Sequence, residues 1–217
     1  MKFIRICCSA LLLLSITHAA IAGPVIYDNG GPSGDWDGWF SDLALNQVSA
    51  DDFVLAPGSN ILADIHWFGS YGVFPGVPEP AEDDFTIEIF SDLTQAPEHV
   101  IDVGNQATRK SLGPRGALDE AFEYGVDISP IVLAAGTTYW LSIFNNTQDG
   151  PNGAWAWTFS VDLLGGGDAA VGNPGALSPF GGENSFFLTT VAVPTPASLT
   201  LIALAVGGMG WARRRKR

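Results

Sequence analysis

An all-β chain, folded as an antiparallel β-sandwich or jelly roll, is predicted by three observations. Between residues 23 and 192 apolar and polar residues alternate in several short runs, which is the period of a strand with one buried face. Gly, Pro, Asn and Asp separate those runs, and these residues supply turn geometry. No helical period of useful length occurs before the C-terminal segment. Many strands joined by turns must bury their apolar faces against each other, so two packed sheets are expected.

The elements follow in order. Residues 24–27 form a short apolar start. Residues 50–55 and 60–68 read as strands joined by the turn Pro57-Gly58-Ser59. In residues 84–91, Phe85, Ile87 and Ile89 share one face, and Thr86, Glu88 and Phe90 the other. Phe122, Tyr124 and Val126 alternate with Glu123, Gly125 and Asp127. The strongest run is 138–145, with Tyr139, Leu141 and Ile143 on one face and Trp140 and Phe144 on the other. A strand apolar on both faces is central and covered on both sides. Trp155, Trp157 and Phe159 mark another strand, and residues 185–191 the last. Residues 72–82 and 165–182 read as long Gly/Pro-rich loops.

Charge bounds the function. All 23 acidic residues lie between 23 and 192, against three cations, Arg109, Lys110 and Arg115, which leaves −20. Such a surface repels nucleic acid and anionic lipid. The same segment has no cysteine, so disulfides, thiol catalysis and thiolate-bound zinc are excluded from it. About 170 residues still suffice for a core without covalent staples.

The two ends differ from this middle. Lys2 and Arg5 precede a Leu-rich run from Ile6 to Ile16, and Ala20-Ile21-Ala22 precedes Gly23. This is the pattern of a secretory signal peptide over residues 1–22, cut by signal peptidase between Ala22 and Gly23. At the other end an apolar run from Leu199 to Trp211 is closed by Arg213, Arg214, Arg215, Lys216 and Arg217. Such a run predicts one transmembrane helix. Its cations stay on the cytoplasmic side and place the preceding domain outside. From Ala197 to Ala212 it gives roughly 24 Å of helix, short for a span, with arginine side chains extending its reach.

The order Pro194-Thr195-Pro196, apolar run, Arg-rich end resembles the PEP-CTERM sorting signal, over residues 193–217 only. Thr195 stands where that family usually has Glu. The resemblance implies processing near the Pro-x-Pro motif by an exosortase, and a surface or matrix protein linked to exopolysaccharide. A Val-Pro-Glu-Pro at 77–80 is followed by an acidic run and reads as loop. The middle segment also resembles an uncharacterised bacterial β-sandwich ectodomain. The residues that carry this are Ala50-Asp51-Asp52-Phe53, Ile65-His66-Trp67-Phe68-Gly69, the run from Asp84 to Phe90, and the run from Ala135 to Ile143. That resemblance implies a fold and no activity.

Candidate chemistry is sparse. Asp35 and Asp37, ahead of Gly38, and the stretch Asp28-Asn29-Gly30-Gly31 carry part of a calcium loop's ligand set. They lack the further oxygens of a full site, and Asp in Gly-rich turns also serves turn geometry alone. Trp36, Trp39 and Phe40 fall in a predicted loop, where Trp36 and Trp39 could stack on sugar rings. Trp155 and Trp157 share a strand face and read as core. His66 and His99 lie in no metal-ligand spacing. The adjacent acids Asp51-Asp52, Asp83-Asp84 and Asp119-Glu120 could suggest a glycosidase, but neighbours on a strand point to opposite faces. No nucleophile elbow, HExxH or phosphate loop occurs. The expectation is a non-catalytic surface or matrix protein without a cofactor. A calcium- or carbohydrate-binding module is the alternative, and a glycan hydrolase comes after it.

Overall fold

The computed structural model describes residues 23–34, 38–71, 80–115, 118–146, 153–161 and 169–191. The chain forms β1 (Val25–Asp28), β2 (Gly38–Phe40), β3 (Val48–Val54), β4 (Ile61–Tyr71), β5 (Phe85–Phe90), β6 (His99–Gly104) and β7 (Thr108–Arg115). It continues with β8 (Leu118–Val132), β9 (Thr138–Asn145), β10 (Trp155–Thr158), β11 (Ala170–Asn173), β12 (Ala176–Pro179) and β13 (Phe186–Thr189). A 3-10 turn, Leu43–Leu45, is capped by Asp42, whose carboxylate accepts from the Ala44 amide. Every strand pair is antiparallel.

Two sheets pack face to face as a β-sandwich. The six-stranded sheet runs β12-β11-β3-β9-β5-β6. The seven-stranded sheet is built around β4, whose length sets its plan. One edge of β4 pairs with β8 from Ile61↔Val132 to Tyr71↔Glu120. Its other edge serves two strands in succession, β13 at Asp64–Trp67 and β10 at Gly69–Tyr71. β1 and β2 add outside these, and β7 adds outside β8.

The core follows the alternation. Ile65, Trp67 and Tyr71 of β4 face inward with Phe122 and Tyr124 of β8 and Trp155 and Trp157 of β10. Phe53, Phe85, Ile87, Ile89, Tyr139, Leu141 and Ile143 answer from the other sheet. Phe85 crosses the interface and meets Trp67, Tyr124 and Trp155 edge-to-face, at 5.2, 4.9 and 5.0 Å between centroids. Such T-shaped contacts add to area burial because ring edges are positive and ring faces negative. Gly69 makes room for the Trp155 indole, since a Cβ there would lie 2.4 Å from its Cζ2.

Three expectations need correction. Residues 170–179 are not loop: β11 and β12 form a hairpin there, turning at Gly175 with φ +76°. Strands β6 and β7 have too little apolar patterning to announce themselves, because each lies on a sheet edge. Trp39 and Phe40 belong to strand β2, paired with Trp157 and Ala156, rather than to a loop.

Among the described residues no helix is long and apolar enough to cross a membrane. The predicted signal peptide and the C-terminal run both lie outside the described residues.

Candidate functional site: the outer face around His66

Alternation sends Asp64, His66 and Phe68 of β4 to the outer face of the seven-stranded sheet. Register brings partners beside them. Phe187 of β13 and Gly125 of β8 pair with His66 on either side. The imidazole lies flat against the Phe187 ring, 4.2 Å between centroids at 9°. Phe68 stands near Phe187 at 6.3 Å. Gly125 leaves the space the imidazole occupies, because a Cβ there would meet Nδ1 at 2.8 Å.

A carboxylate holds one ring nitrogen and a second stands near the other. His66 Nε2 is 2.7 Å from Asp64 Oδ2, which also accepts from the Thr189 hydroxyl at 3.1 Å. His66 Nδ1 is 4.0 Å from Glu123 Oε1, and Glu123 is held by Lys110 at 2.8 Å. The result is a half-buried outer surface with an imidazole stacked on a phenyl ring, two acids and one ammonium. Rings of this kind stack on the C–H face of sugars while carboxylates bind hydroxyls. Among the described residues no hydroxyl or thiol is hydrogen-bonded to the imidazole.

Two buried polar networks lie elsewhere and bind the sheets together. Asp51 of β3 is fully buried. Its carboxylate accepts from the Asn184 amide, from Asn29 Nδ2 at 3.1 Å and from its neighbour Asp52 N–H at 2.9 Å. Burial pushes the Asp51 carboxyl up to about 9, the Asn184 amide opposes this, and the Glu183 and Asp52 carboxylates add to it. Asn29 Nδ2 also donates to Glu183 at 2.9 Å. At the opposite end the Tyr71 hydroxyl donates to Asp83 at 2.6 Å and accepts from Asn145. The Arg109 guanidinium lies 4.0 Å over the Phe122 ring and 3.6 Å from Asp83, a desolvated cation–π contact. Burial raises the Asp83 carboxyl, and the Tyr71 hydrogen bond and the Arg109 charge oppose it.

The residues singled out from the sequence fare differently. Asp35, Trp36 and Asp37 lie outside the described residues, as do Ala22, Pro194-Thr195-Pro196 and the basic tail from Arg213 to Arg217. Gly23 opens the described chain. Trp39 is half-buried, its ring edge-on to Phe180 at 4.6 Å, so it is part of a surface aromatic cluster rather than a free loop side chain. Trp155 and Trp157 are fully buried in the core. Asp28 accepts from the Gly30 amide at 3.0 Å, with Gly30 at φ +82°, which is turn chemistry. Among the described residues no group of three or more His, Cys, Asp or Glu is placed to hold a metal ion. An open groove of about 600 Å³ runs between β6 and the free edge of β8 beyond Val126, with Ile101, Val126 and Ile128 as its floor.

Sequence reasoning passed over the His66 surface. The available signal was the spacing Asp64-x-His66 inside a predicted strand, which puts both on one face. Glu123, Gly125, Lys110 and Phe187 come from three other strands, and nothing local in the sequence places them beside His66. Comparison of the chain with protein-family models, with curated proteins and with solved structures finds no match.

Proposed function

We propose that this is an exported bacterial surface or extracellular-matrix protein with a non-catalytic structural or binding role linked to exopolysaccharide. In this reading signal peptidase removes residues 1–22. The apolar run holds the chain in the inner membrane with its basic tail in the cytoplasm, and an exosortase acts near Pro194-Thr195-Pro196. The sandwich is the delivered part, and it takes no nucleic acid.

The observation that supports this reading is the meeting of the two ends of the sandwich. The Thr190 amide donates to the Pro24 carbonyl at 3.1 Å, next to the pair Val25↔Thr189. Both proposed cuts fall beyond that last ladder pair. Either could be made without opening a strand, and the domain would hang from one pole while tethered.

A second observation favours binding over a purely passive role. The Phe187–His66 surface, flanked by Asp64 and Glu123, has the flat aromatic and polar composition that suits a neutral or cationic sugar. Trp36 and Trp39 remain a second candidate surface, and Asp35 and Asp37 a candidate calcium loop.

Mass spectrometry of the protein recovered from an exosortase-bearing host tests the first reading. The expected mature chain starts at Gly23 and lacks Arg213 to Arg217. A surface-located chain that keeps its basic tail would overturn the processing step. Retention on a panel of immobilised polysaccharides, lost in His66→Ala, tests the second.

A further inference from the structure

We propose that the pole of the sandwich from which the chain leaves is a lipid-contacting surface that rests on the bilayer while the protein is tethered. This deepens the anchored reading above and rests on it.

Register places four segments at that pole. Ile61 pairs with Val132 at the end of the β4–β8 ladder, and Val54 with Thr138 at the end of the β3–β9 ladder. The connecting loops are tied to each other. Leu133 N–H donates to Asn60 C=O at 3.0 Å and Gly136 N–H to Leu55 C=O at 2.9 Å. Val25 and Thr189 end the β1–β13 ladder on the same side, because β13 runs beside β4 with Thr189 opposite Asp64.

This pole differs from the rest of the domain in two ways. First, four of the segments that meet there carry no charge: residues 54–61, 132–138, 23–26 and 189–191 contain no Asp, Glu, Lys, Arg or His. In a segment with 23 carboxylates and three cations, an uncharged end of four separate chain segments marks a distinct surface. Second, it is apolar and exposed. Val132 is 69% exposed, Val25 55%, Val54 43%, Val191 41% and Ile61 37%. These are five of the eight large hydrophobic residues exposed among the described residues. Exposed apolar residues gathered in one patch mark an interaction surface, whereas scattered ones do not.

The occupant follows from where the chain goes next. After Val191, six peptide steps lead to Ala197, where the expected helix begins, a reach of at most about 22 Å. If that run lies in the bilayer, this pole is held at the lipid surface. Anionic headgroups repel a −20 domain as a whole. The uncharged part of this pole can approach at less of that cost, and its valines gain by leaving water. The β5–β6 turn at the outer corner of the same end carries Asp92 and Glu98 and sets the boundary of the contact.

The test uses the full chain in vesicles of phosphatidylethanolamine and phosphatidylglycerol. Cys7 and Cys8 are replaced by Ser, which leaves no other thiol. Single cysteines are introduced as Val132→Cys, Val54→Cys, Glu82→Cys and Leu204→Cys, and each is labelled with an environment-sensitive fluorophore. Headgroup-level spin-labelled lipid should quench the labels at 132 and 54, shift their emission to the blue and leave 82 unchanged, while lipid spin-labelled deep in its acyl chain should quench the label at 204. Labels at 132 and 54 that behave like 82, while 204 is quenched, would overturn the lipid-contacting pole and leave the anchor standing. No quenching at 204 would overturn the anchored reading and the pole together.

Discussion

Gly125 lies directly beside the imidazole of His66, so close that a Cβ on Gly125 would meet Nδ1 at 2.8 Å. The pair sits on neighbouring strands, His66 on β4 and Gly125 on β8. The missing side chain lets the imidazole lie flat on Phe187 and reach Asp64. Gly125→Ala should therefore swing His66 off Phe187. Its ring-proton resonances should move downfield as the ring current of Phe187 is lost, and polysaccharide retention should fall. Stability should change by less than about 1 kcal/mol, since the ring is at the surface and can move. Unmoved His66 resonances would contradict the packing described.

Gly69 plays the same part on the inner face, with a different consequence. Its missing Cβ is filled by the Trp155 indole, which is fully buried and cannot swing into solvent. Gly69→Ala should cost about 1–3 kcal/mol, the usual penalty for overpacking. Chemical denaturation of the two proteins side by side measures it. Equal midpoints would show that the core can yield at Trp155.

Asp51 gives the fold an unusual pH dependence. Its folded-state value of about 9 lies above the ordinary 3.8. Between the two, the folded protein keeps a proton that the unfolded chain has lost. Stability from this group is therefore full below pH 4 and falls as pH rises toward 9. Unfolding free energy should be lower at pH 8 than at pH 5, and Asp51→Asn should flatten that slope. A wild-type protein that gains stability over the same interval would show that Asp51 is ionised in its pocket.

Tyr71→Phe removes the phenol that Asp83 and Asn145 share inside the protein. Buried polar groups that lose a partner cost about 1–3 kcal/mol. The melting temperature should fall accordingly, with little change in the near-ultraviolet signal of the tryptophans.

Leu141 is fully buried in the core, opposite Ile89 on the neighbouring strand. Leu141→Asp should destabilise the sandwich by at least about 3 kcal/mol, because the carboxylate would be buried without a partner. A soluble, cooperatively melting variant at near wild-type temperature would refute the central position of β9.

How much of this fold is legible in the sequence depends on whether the information is local. The sequence by itself determined the fold class and most of the core. Burial of one strand face writes a two-residue alternation into 85–90 and 138–145, and two apolar faces mark β9 as central. It also set the cysteine-free, acidic character of residues 23–192 and the contrast of both ends with them. Edge strands need no such alternation, which is why β6, β7 and β12 had no clear signal, and β11, Ala170–Asn173, is too short to show one. Tertiary structure alone decided the rest. His66, Gly125, Glu123, Lys110 and Phe187 come together only because β4 lies between β13 and β8 with β7 outside. Pro24 and Thr190 are 166 positions apart in the chain and hydrogen-bonded in the fold. The physical reason is cross-strand register: which residue sits opposite which is fixed by the packing of two whole sheets, and no short stretch of sequence records it.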